Sequence, residues 1–414
     1  MLLIEGEVLD NSFTQLAIKQ MSETIPITLN DSQLTQDKIV NAIDQLITKF
    51  SRGEFTGELD QFDVSFNWDD IQTQLTCLTK KNIERRIKTE LGQNEVKTSS
   101  GIKIKNYPLG VVFQLAAGNI DVLPVYSVLE SLLVRNISIL KLPAADKGIT
   151  IFIIKKLLEI EPLITNYIYV FDTPSSDLNT ILKLMDYANA IVVWGSDTAI
   201  RSVRENAPTN CRIIEWGHKL SFAYIQDLTI EDEDLIALAT HIIKTKQMLC
   251  SSCQGIFIDT DDFDVVKKFA SRFNQIIHSL EISQELNQSL QGKVTVELLT
   301  RKLETIECNQ EIIENRFGSI TCINDQRLEL SLLNGNLWIK PMLKSQIIES
   351  LHSQHSYLQT VGIYPLSDEL QDIFARAGLT TITSIATMSN FDFEEAHDGR
   401  LPLNEYCRKV NIKS

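Results

Sequence analysis

The 414-residue chain lacks the features that mark several large classes of protein. No stretch reaches the ~18 consecutive apolar residues that a membrane-spanning helix needs, and residues 1–7 lack the basic start of a signal peptide. Basic side chains are scarce, with 39 Lys and Arg against 54 Asp and Glu, which gives a net charge of −15. We therefore expect a cytoplasmic protein with no membrane span. Nucleic acid is not an expected partner, because it requires a basic surface.

Several binding motifs are also absent. The seven cysteines form an odd, scattered set in a chain long enough to bury a core without a disulfide framework. Neither the Gly-x-Gly-x-x-Gly fingerprint nor a Walker Gly-Lys-Ser/Thr sequence is present, so the two commonest nucleotide-binding loops are excluded. The one Cys-x-x-Cys lacks a second pair of ligands at zinc spacing. We predict no metal site.

What the chain does contain, from about residue 100, is an alternation of short β-branched runs with helical periods. Runs that are apolar on both faces are typical of parallel strands covered by helices on either side. The predicted strands are 110–115, 137–140, 167–171, 191–194 and 212–215, and the predicted helices between them are 124–134, 148–158, 178–187 and 198–204. This pattern predicts a doubly wound α/β sheet, which binds ligands at the carboxyl ends of its strands.

The rest of the chain adds a second unit and a tail. The first hundred residues read as lead-in elements, with helices near 35–50 and 69–91. After residue 220 a second α/β alternation is predicted, with a helix at 230–249, a strand at 255–259 and a helix at 263–279. A short β-like tail over 404–412 closes the chain. We therefore predict domains at 1–217, 218–385 and 386–414.

Two features bear on chemistry. Cys250 and Cys253 form the Cys-x-x-Cys at the end of an apolar helix, and Glu215 ends an apolar strand. Taken alone, the cysteines are best interpreted as small buried residues, with a redox dithiol or a catalytic thiol as alternatives. Glu215 is either a surface strand end, the interpretation that periodicity favours, or the base that a nucleophilic thiol needs.

The order of motifs resembles the aldehyde dehydrogenase superfamily. Cys250 follows Glu215 by 35 positions, close to the spacing that the superfamily keeps between its base and its thiol. The segments that carry the resemblance are Pro108-Leu109-Gly110-Val111-Val112, Gly118-Asn119, Leu140-Lys141-Leu142-Pro143, Trp194-Gly195-Ser196 and Glu215-Trp216-Gly217-His218-Lys219. Within the superfamily, the chain is most similar to the LuxC-type acyl-CoA reductases. That likeness is carried by Cys250-Ser251-Ser252-x-Gln254, by Leu358-Gln359-Thr360-Val361-Gly362-Ile363 and by His397-Asp398-Gly399-Arg400.

The resemblance implies a fold and a set of roles. The fold would be aldehyde-dehydrogenase-like, with a Rossmann-type cofactor domain, a catalytic domain carrying the thiol, and a C-terminal oligomerisation tail. Cys250 would form an acyl thioester, Asn119 and the Cys250 N–H would make the oxyanion hole, and Glu215 would be the acid/base group. Lys141, Gly195, Ser196 and Gly217 would bind the cofactor.

The cofactor implied is NADPH rather than NADH. Members that prefer NAD often have Glu three residues after the lysine, where it binds the ribose hydroxyls, and this chain has Ala144 there. A missing carboxylate removes repulsion toward a 2′-phosphate, which Lys141 can attract. Asp146 would reverse this preference if it reached the ribose.

The chain departs from the family pattern in two places. Cys253 stands where luminescence-type relatives usually have Pro, so that a Cys250–Cys253 disulfide formed on oxidation would switch the enzyme off. The superfamily's Glu-x-Phe-Gly-Pro motif has no match within 328–341. His218 is interpreted as a turn histidine, and His397 and Asp398 match the family tail without a role that the sequence defines.

The expected activity is NADPH-dependent reduction of an acyl-CoA or acyl carrier thioester to an aldehyde through a Cys250 acyl-enzyme. The alternatives are an NAD(P)-dependent aldehyde dehydrogenase that forms free acid and, from a different class, a thiol redox or binding protein. Family likeness also implies a homo-oligomer built through the 404–412 strand and an acyl-activating partner enzyme.

Overall fold

The chain is divided into two units. The computed structural model describes residues 1–59, 62, 68–92, 95–118, 122–282, 295–296, 298–300 and 310–413. One unit contains Met1–Gly217 with Asp392–Ser414, and the other contains His218–Phe391. The C-terminal division therefore falls six residues later than the predicted 385/386, because Ile385 and Met388 are buried in the core of the second unit. The second unit is inserted into the chain of the first.

The first unit contains a seven-stranded sheet and its helices. The strands of that sheet are β1 (Leu2–Ile4), β2 (Glu7–Leu9), β5 (Val111–Leu115), β6 (Ile137–Lys141), β7 (Ile168–Phe171), β8 (Ala190–Gly195) and β9 (Arg212–Gly217). Two further strands of the unit, β3 (Glu95–Lys97) and β4 (Lys103–Pro108), belong to a smaller sheet. Its helices before residue 217 are α1 (Thr14–Leu29), α2 (Gln36–Ser51), α3 (Thr56–Leu59), α4 (Trp68–Leu75), α5 (Lys80–Leu91), α6 (Leu123–Leu133), α7 (Ile149–Ile160), α8 (Leu178–Met185) and α9 (Asp197–Asn206).

The order of the large sheet is β2-β1-β7-β6-β5-β8-β9. Strands β5 to β9 pair in parallel, whereas β1 pairs antiparallel with both β2 and β7. Strands β5, β6 and β7 are buried throughout apart from Leu115, as their two-sided apolar patterns predict. The carboxyl ends of β6, β8 and β9 carry the predicted cofactor residues. The N-terminal hairpin is an addition to the sheet that the sequence analysis did not predict.

Helix α2 shows how the lead-in elements become part of this core. The Thr35 side chain caps its start by accepting a hydrogen bond from the Lys38 N–H at 3.4 Å. Its buried residues recur at helical spacing and are Ile39, Val40, Ala42, Ile43, Leu46, Ile47 and Phe50. They belong to the same apolar cluster as the strands of the large sheet. Residues 36–51 are therefore part of the first unit rather than a separate domain.

The second unit is also built on a seven-stranded sheet. Its strands are β10 (Leu220–Ile225), β11 (Cys253–Ile258), β12 (Gln310–Asn315), β13 (Gly318–Ile323), β14 (Asn336–Pro341), β15 (Leu358–Tyr364) and β16 (Thr381–Ser384). Its helices include α10 (Asp232–Thr245), α11 (Phe263–Ser279), α12 (Ile347–Leu351) and α13 (Asp368–Ala377). The strand order is β12-β13-β14-β11-β10-β15-β16, and only the β12–β13 pair is antiparallel among these strands.

The C-terminal segment returns to the first unit as α14 (Pro402–Glu405) and β17 (Cys407–Ile412). Strand β17 pairs antiparallel with β4, which pairs with β3, to make a separate three-stranded sheet. The predicted tail is thus a strand that begins at Cys407 rather than at 404, because a short helix precedes it. Together the two mainly parallel seven-stranded sheets confirm the predicted α/β architecture. No helix within the described ranges is long and apolar enough to cross a bilayer.

Candidate active site

Cys250 lies in a tight turn between α10 and β11. Lys246 and Gln247, the two residues that follow α10, have φ of 51° and 60°, in the left-handed region that residues other than glycine rarely adopt. The Asn334 N–H donates to the Lys246 carbonyl at 2.9 Å and so supports this backbone from outside the turn. The backbone strain therefore lies in the residues that lead directly into Cys250, the candidate nucleophile.

Two buried glutamines hold the turn. The Gln247 amide nitrogen donates to the carbonyls of Cys253 and Gln254 at 3.2 and 3.3 Å, and its oxygen accepts from the Gly335 N–H at 3.1 Å. The Gln254 amide nitrogen donates to the carbonyls of Gln247 and Ser252 at 3.0 and 3.2 Å. Both side chains are nearly inaccessible, at 1% and 2% exposure, so these bonds have no competition from water. We name Gln247 and Gln254 the glutamine pair.

The glutamine pair joins the turn to a distant segment. The Gln254 oxygen accepts from the Ser331 hydroxyl at 2.8 Å and from its N–H at 3.3 Å. Residues 325–331 are in turn tied to Lys340, whose ammonium is fully buried and donates to Asp325 and Glu329, both at 2.7 Å. This is the stretch in which the Glu-x-Phe-Gly-Pro motif is missing. It supports the cysteine turn.

Ser221 connects the same turn to the central strand. The register of β10 shifts at Ser221 against both of its neighbours, β11 and β15. The Ser221 hydroxyl donates to the Cys250 carbonyl at 2.6 Å and accepts from the Thr360 N–H at 3.0 Å. A side chain thus supplies the bonds that the irregular ladder leaves open.

The second cysteine of the Cys-x-x-Cys is a core residue. The Cys253 side chain is fully buried at the start of β11, where its thiol donates to the Gly255 carbonyl at 3.2 Å. Its N–H donates to His241 Nε2 at 3.3 Å. Burial raises the pKa of the Cys253 thiol to about 12, so almost no thiolate is available for exchange. No disulfide joins the cysteines of the described segments, and the predicted Cys250–Cys253 switch stays a prediction.

In the first unit, Lys141 ends β6 with its side chain largely buried. Its ammonium donates to the Ser175 hydroxyl at 2.9 Å, and burial lowers its pKa while the nearby charge of Asp172 opposes that shift. The Asp146 side chain is buried and folds back on its own backbone, where its carboxylate accepts hydrogen bonds from the Gly148 and Thr150 N–H groups at 3.0 and 3.4 Å. Burial raises its pKa. The carboxylate beside Lys141 is therefore Asp172, which the sequence analysis missed and which also lies 3.3 Å from the Met1 nitrogen.

Gly195, Ser196 and Gly217 lie at the ends of two adjacent strands. Gly195 is paired with Gly217 in the β8–β9 register, and a Cβ on either would come within about 3.3 Å of α9 side chains. Ser196 caps α9, with its hydroxyl accepting from the Ala199 N–H at 3.4 Å. A helix start and a buried ammonium at one sheet edge fit the phosphates of a dinucleotide, although Asp197 in the first turn opposes anion binding.

Glu215, in β9, is engaged by Arg204 of α9. Arg204 Nε and Nη2 donate to the two carboxylate oxygens at 2.5 and 2.7 Å, which is a bidentate pair. This bond raises the pKa of Arg204. The Glu215 carbonyl accepts from the Arg400 guanidinium, which also lies 4.1 Å from the centre of the Trp216 ring. The candidate base is thus held at its side chain and at its backbone.

The His397–Arg400 turn has a structural role at this point. His397 and Arg400 form an isolated β-bridge, and the His397 ring lies 4.8 Å from Trp216 and 5.4 Å from Trp194. The two tryptophans stack on each other at 5.4 Å. The family-tail residues therefore cover the ends of β8 and β9. His218, in the second unit, stacks on Tyr357 at 4.7 Å, consistent with a turn histidine.

The predicted site residues fall into separate groups. Lys141, Gly195, Ser196, Glu215 and Gly217 lie at the carboxyl edge of the first sheet, and Cys250 lies in the second unit. Asn119, the predicted oxyanion donor, lies outside the described residues.

A family model described as Acyl-CoA reductase (LuxC) matches residues 35–409. The chain belongs to the LuxC acyl-CoA reductase family. It is 25% identical over 314 residues to a long-chain acyl-protein thioester reductase 2 of Photobacterium leiognathi, a match covering 74% of this chain. A long-chain acyl-protein thioester reductase of Vibrio harveyi is 23% identical over 345 residues, or 78% of this chain. The matches span 65% and 69% of those two proteins.

Solved structures place this LuxC-family chain in the aldehyde dehydrogenase fold. Methylmalonate-semialdehyde dehydrogenase from Oceanimonas doudoroffii superposes with a TM-score of 0.76 at 13% identity, covering 99% of this chain and 97% of that one. A putative aldehyde dehydrogenase from Burkholderia cenocepacia gives the same TM-score at 12% identity, covering 100% and 96%. At these identities the likeness concerns the fold, and it agrees with the predicted superfamily.

Proposed function

We propose that this LuxC-family chain is an NADPH-dependent reductase that converts a long-chain acyl thioester to an aldehyde. The observation that carries the proposal is the Cys250 turn, in which a half-buried cysteine is fixed by Ser221 and the glutamine pair. Relatives named long-chain acyl-protein thioester reductases support a thioester as the substrate. The donor is proposed to be an acyl-CoA or an acyl carrier protein.

In the proposed reaction, the Cys250 thiolate attacks the thioester carbonyl and the CoA or carrier thiol leaves, so that the acyl group becomes bound to the enzyme. Negative charge develops on the carbonyl oxygen during this attack. The Cys250 N–H and the Asn119 side chain are the donors proposed to stabilise it. Glu215 is proposed to exchange the proton with the incoming or leaving thiol.

The residues that would hold the cofactor are Lys141, Gly195, Ser196 and Gly217. Lys141 would attract the phosphate on the adenosine ribose, and the start of α9 would bind the pyrophosphate. When bound, the reduced nicotinamide supplies the two electrons that turn the acyl group into an aldehyde. Release of the aldehyde then restores the Cys250 thiol.

Replacing the nucleophile tests the proposal. Cys250→Ala and Cys250→Ser are each incubated with radiolabelled hexadecanoyl-CoA, and protein-bound label is measured after denaturation. We expect label on the native chain and none on either variant, because an alanine or serine cannot form the thioester. Cys211→Ala, which removes a half-exposed cysteine of the first unit, is the matched control. Label that persists in both Cys250 variants would contradict the assignment.

Formation of free acid by an aldehyde dehydrogenase and redox chemistry by a dithiol are the competing functions. The buried thiol of Cys253 weighs against a dithiol, because its raised pKa leaves Cys250 without an exchange partner of ordinary reactivity. Association of copies through β17 and supply of acyl groups by an activating enzyme are further proposals from the family resemblance.

A further inference from the structure

We propose that His241 is a positioning residue for the nucleophile, which holds the Cys250 turn so that the Cys250 N–H can stabilise the charge on the attacked carbonyl oxygen. This role rests on the function proposed above, in which Cys250 takes the acyl group. The sequence analysis did not single out this histidine. All of the residues involved belong to the second unit, His218–Phe391.

His241 is a polar residue on the buried face of α10. Its side chain is 3% exposed, and the other buried residues of the helix, which include Leu238 and Ile242, are apolar. A buried imidazole needs partners for both of its ring nitrogens. The Cys253 N–H donates to Nε2 at 3.3 Å, and the Ser389 hydroxyl lies 3.2 Å from Nδ1. Both nitrogens are therefore engaged.

The bond from Cys253 fixes the state of the ring. A backbone N–H can only donate, so Nε2 carries no hydrogen, and the hydrogen of the neutral ring is on Nδ1, which donates to the Ser389 hydroxyl. Burial lowers the pKa of His241, which keeps the ring neutral near pH 7 and keeps Nε2 available as an acceptor. With both nitrogens occupied in this way, the ring is not arranged to act as a base for Cys250.

The bond lies where the pairing of two strands is irregular. Cys253 begins β11 opposite Ser221, and the register between β10 and β11 shifts between Ser221 and Ala223. Backbone groups lose their regular partners at such a shift, and a side chain can replace them. His241 thus joins α10 to the first residue of β11, across the 12 positions that include Cys250.

The turn between these two ends is short and closed. The Ser252 N–H donates to the Leu249 carbonyl at 2.9 Å, and the Leu249 N–H donates to the Ser252 hydroxyl at 3.0 Å. Cys250 is therefore the second residue of a four-residue turn, and Cys253 follows that turn directly. A closed turn moves as a unit, so a shift of Cys253 would also move the Cys250 N–H. Stabilisation of an oxyanion depends steeply on the position of its donors.

The test compares two reactions of the Cys250 thiolate that differ in their need for an oxyanion donor. p-Nitrophenyl acetate acylates the sulfur through attack on a carbonyl, which places negative charge on oxygen before p-nitrophenolate leaves. Iodoacetamide alkylates the same sulfur at a saturated carbon with loss of iodide, and no oxyanion forms. The burst of p-nitrophenolate, corrected for that of Cys250→Ala, gives the first rate. Mass spectrometry of the peptide that contains Cys250 gives the second.

We expect His241→Leu to lower the acylation rate by about 10- to 100-fold and to leave the alkylation rate nearly unchanged. His241→Gln, whose amide lies about as far from the backbone as Nε2, should recover most of the loss. His241→Asn, whose amide matches the position of Nδ1, should not. Ser389→Ala is the matched control, because it removes the other bond of the ring and leaves the bond to Cys253. It should slow acylation far less than His241→Leu does.

A native acylation rate in His241→Leu would overturn the proposal. Equal acylation rates in His241→Gln and His241→Asn would also overturn it, because the bond to Cys253 would then not be the one that matters. A parallel loss of acylation and alkylation would do the same, since it would show an effect on the thiolate or on the fold. If His241→Leu does not fold, the comparison of His241→Gln with His241→Asn decides alone.

The proposed function is tested separately. If hexadecanoyl-CoA leaves no label on the native chain, the proposed function fails, while p-nitrophenyl acetate still decides the role of His241. If p-nitrophenyl acetate does not acylate Cys250 of the native chain, the role proposed for His241 is wrong, whatever the result with hexadecanoyl-CoA.

Discussion

The side chains of Gln247 and Gln254 bond both to the short turn that carries Cys250 and to residues 331 and 335 outside it. Between them they bond to four backbone carbonyls, to the Gly335 N–H and to Ser331. A neutral amide can do this without bringing a charge near Cys250. The arrangement fixes the position of a candidate nucleophile while leaving its ionisation to other groups.

The substitution Gln247→Leu should therefore be costly. It keeps the size of the side chain but leaves the Gly335 N–H and the carbonyls of Cys253 and Gln254 buried without these bonds. We expect a loss of about 2–4 kcal/mol in the free energy of unfolding, measured by urea denaturation. Gln33→Leu, at an exposed position, should change it by less than about 0.5 kcal/mol. Equal losses in the two variants would contradict the argument.

The glutamine pair also shows what sequence analysis at the residue scale misses. The roles of Cys250 and Glu215 were predicted from the family resemblance, whereas the residues alone favoured a structural interpretation of both. Gln254 is bonded to Ser331, 77 positions away, and no local pattern indicates such a contact. Arg204 is 11 positions from Glu215, but Arg212 is nearer in sequence and Arg201 is only three positions farther, and the helix–strand geometry selects Arg204.

At the scale of elements, α5 and the returning C-terminal segment are joined by a buried ionic cluster. Arg86 donates to Glu90 at 2.5 Å and to Glu130 of α6 at 2.6 Å, and its guanidinium lies 4.6 Å from the centre of the Phe393 ring. Glu90 accepts from the Leu403 N–H at 2.6 Å. Burial raises the pKa of Glu90 against the opposing effect of Arg86, so the cluster depends on its cation.

Removing that cation should be severe. Arg86→Met leaves two carboxylates in a mainly buried site, and we expect a loss of about 3–5 kcal/mol in the free energy of unfolding. Arg85→Met is the control one residue away, because Arg85 is half exposed and pairs with Asp392 and Glu394 at the surface. Thermal unfolding of the two variants should differ by several degrees. A similar midpoint for both would show that the cluster does not stabilise the first unit.

The elements themselves were predicted well where a two-sided apolar run or a long amphipathic period marks them. Strand β6 was predicted at 137–140 and spans Ile137–Lys141, and α11 was predicted with its observed bounds, Phe263–Ser279. The hairpin of β1 and β2 was missed because strands of three residues carry no measurable periodicity. The helix predicted over 69–91 is interrupted by a 3₁₀ turn at Thr76–Leu78.

For the whole molecule, the net charge of −15 makes local positive potential at the proposed cofactor site important. Lys141 supplies it, and Asp172, which follows β7, works against it. Asp172→Asn should therefore improve binding of NADPH relative to NADH by about three- to tenfold, because a 2′-phosphate gains more than a hydroxyl from losing a nearby carboxylate.

The ratio of the two dissociation constants, measured by quenching of tryptophan fluorescence, tests this expectation. Asp186→Asn removes an equal charge at the far end of α8 and should leave the ratio unchanged. A fall in affinity for both cofactors in Asp172→Asn would instead show that Asp172 binds the ribose.

The insertion of the second unit into the first has a consequence for biosynthesis. Residues 1–217 emerge from the ribosome long before residues 392–413 are made. The later residues supply β17 and the Leu403 contact to Glu90. Until then β4 has no partner on one side, and the Arg86 cluster is incomplete. Domains that are contiguous in sequence can fold as they emerge, but the first unit here cannot be completed until residues 392–413 have been made. A fragment that ends at Phe391, once free of the ribosome, should accordingly resist protease within 218–391 more than within 80–110.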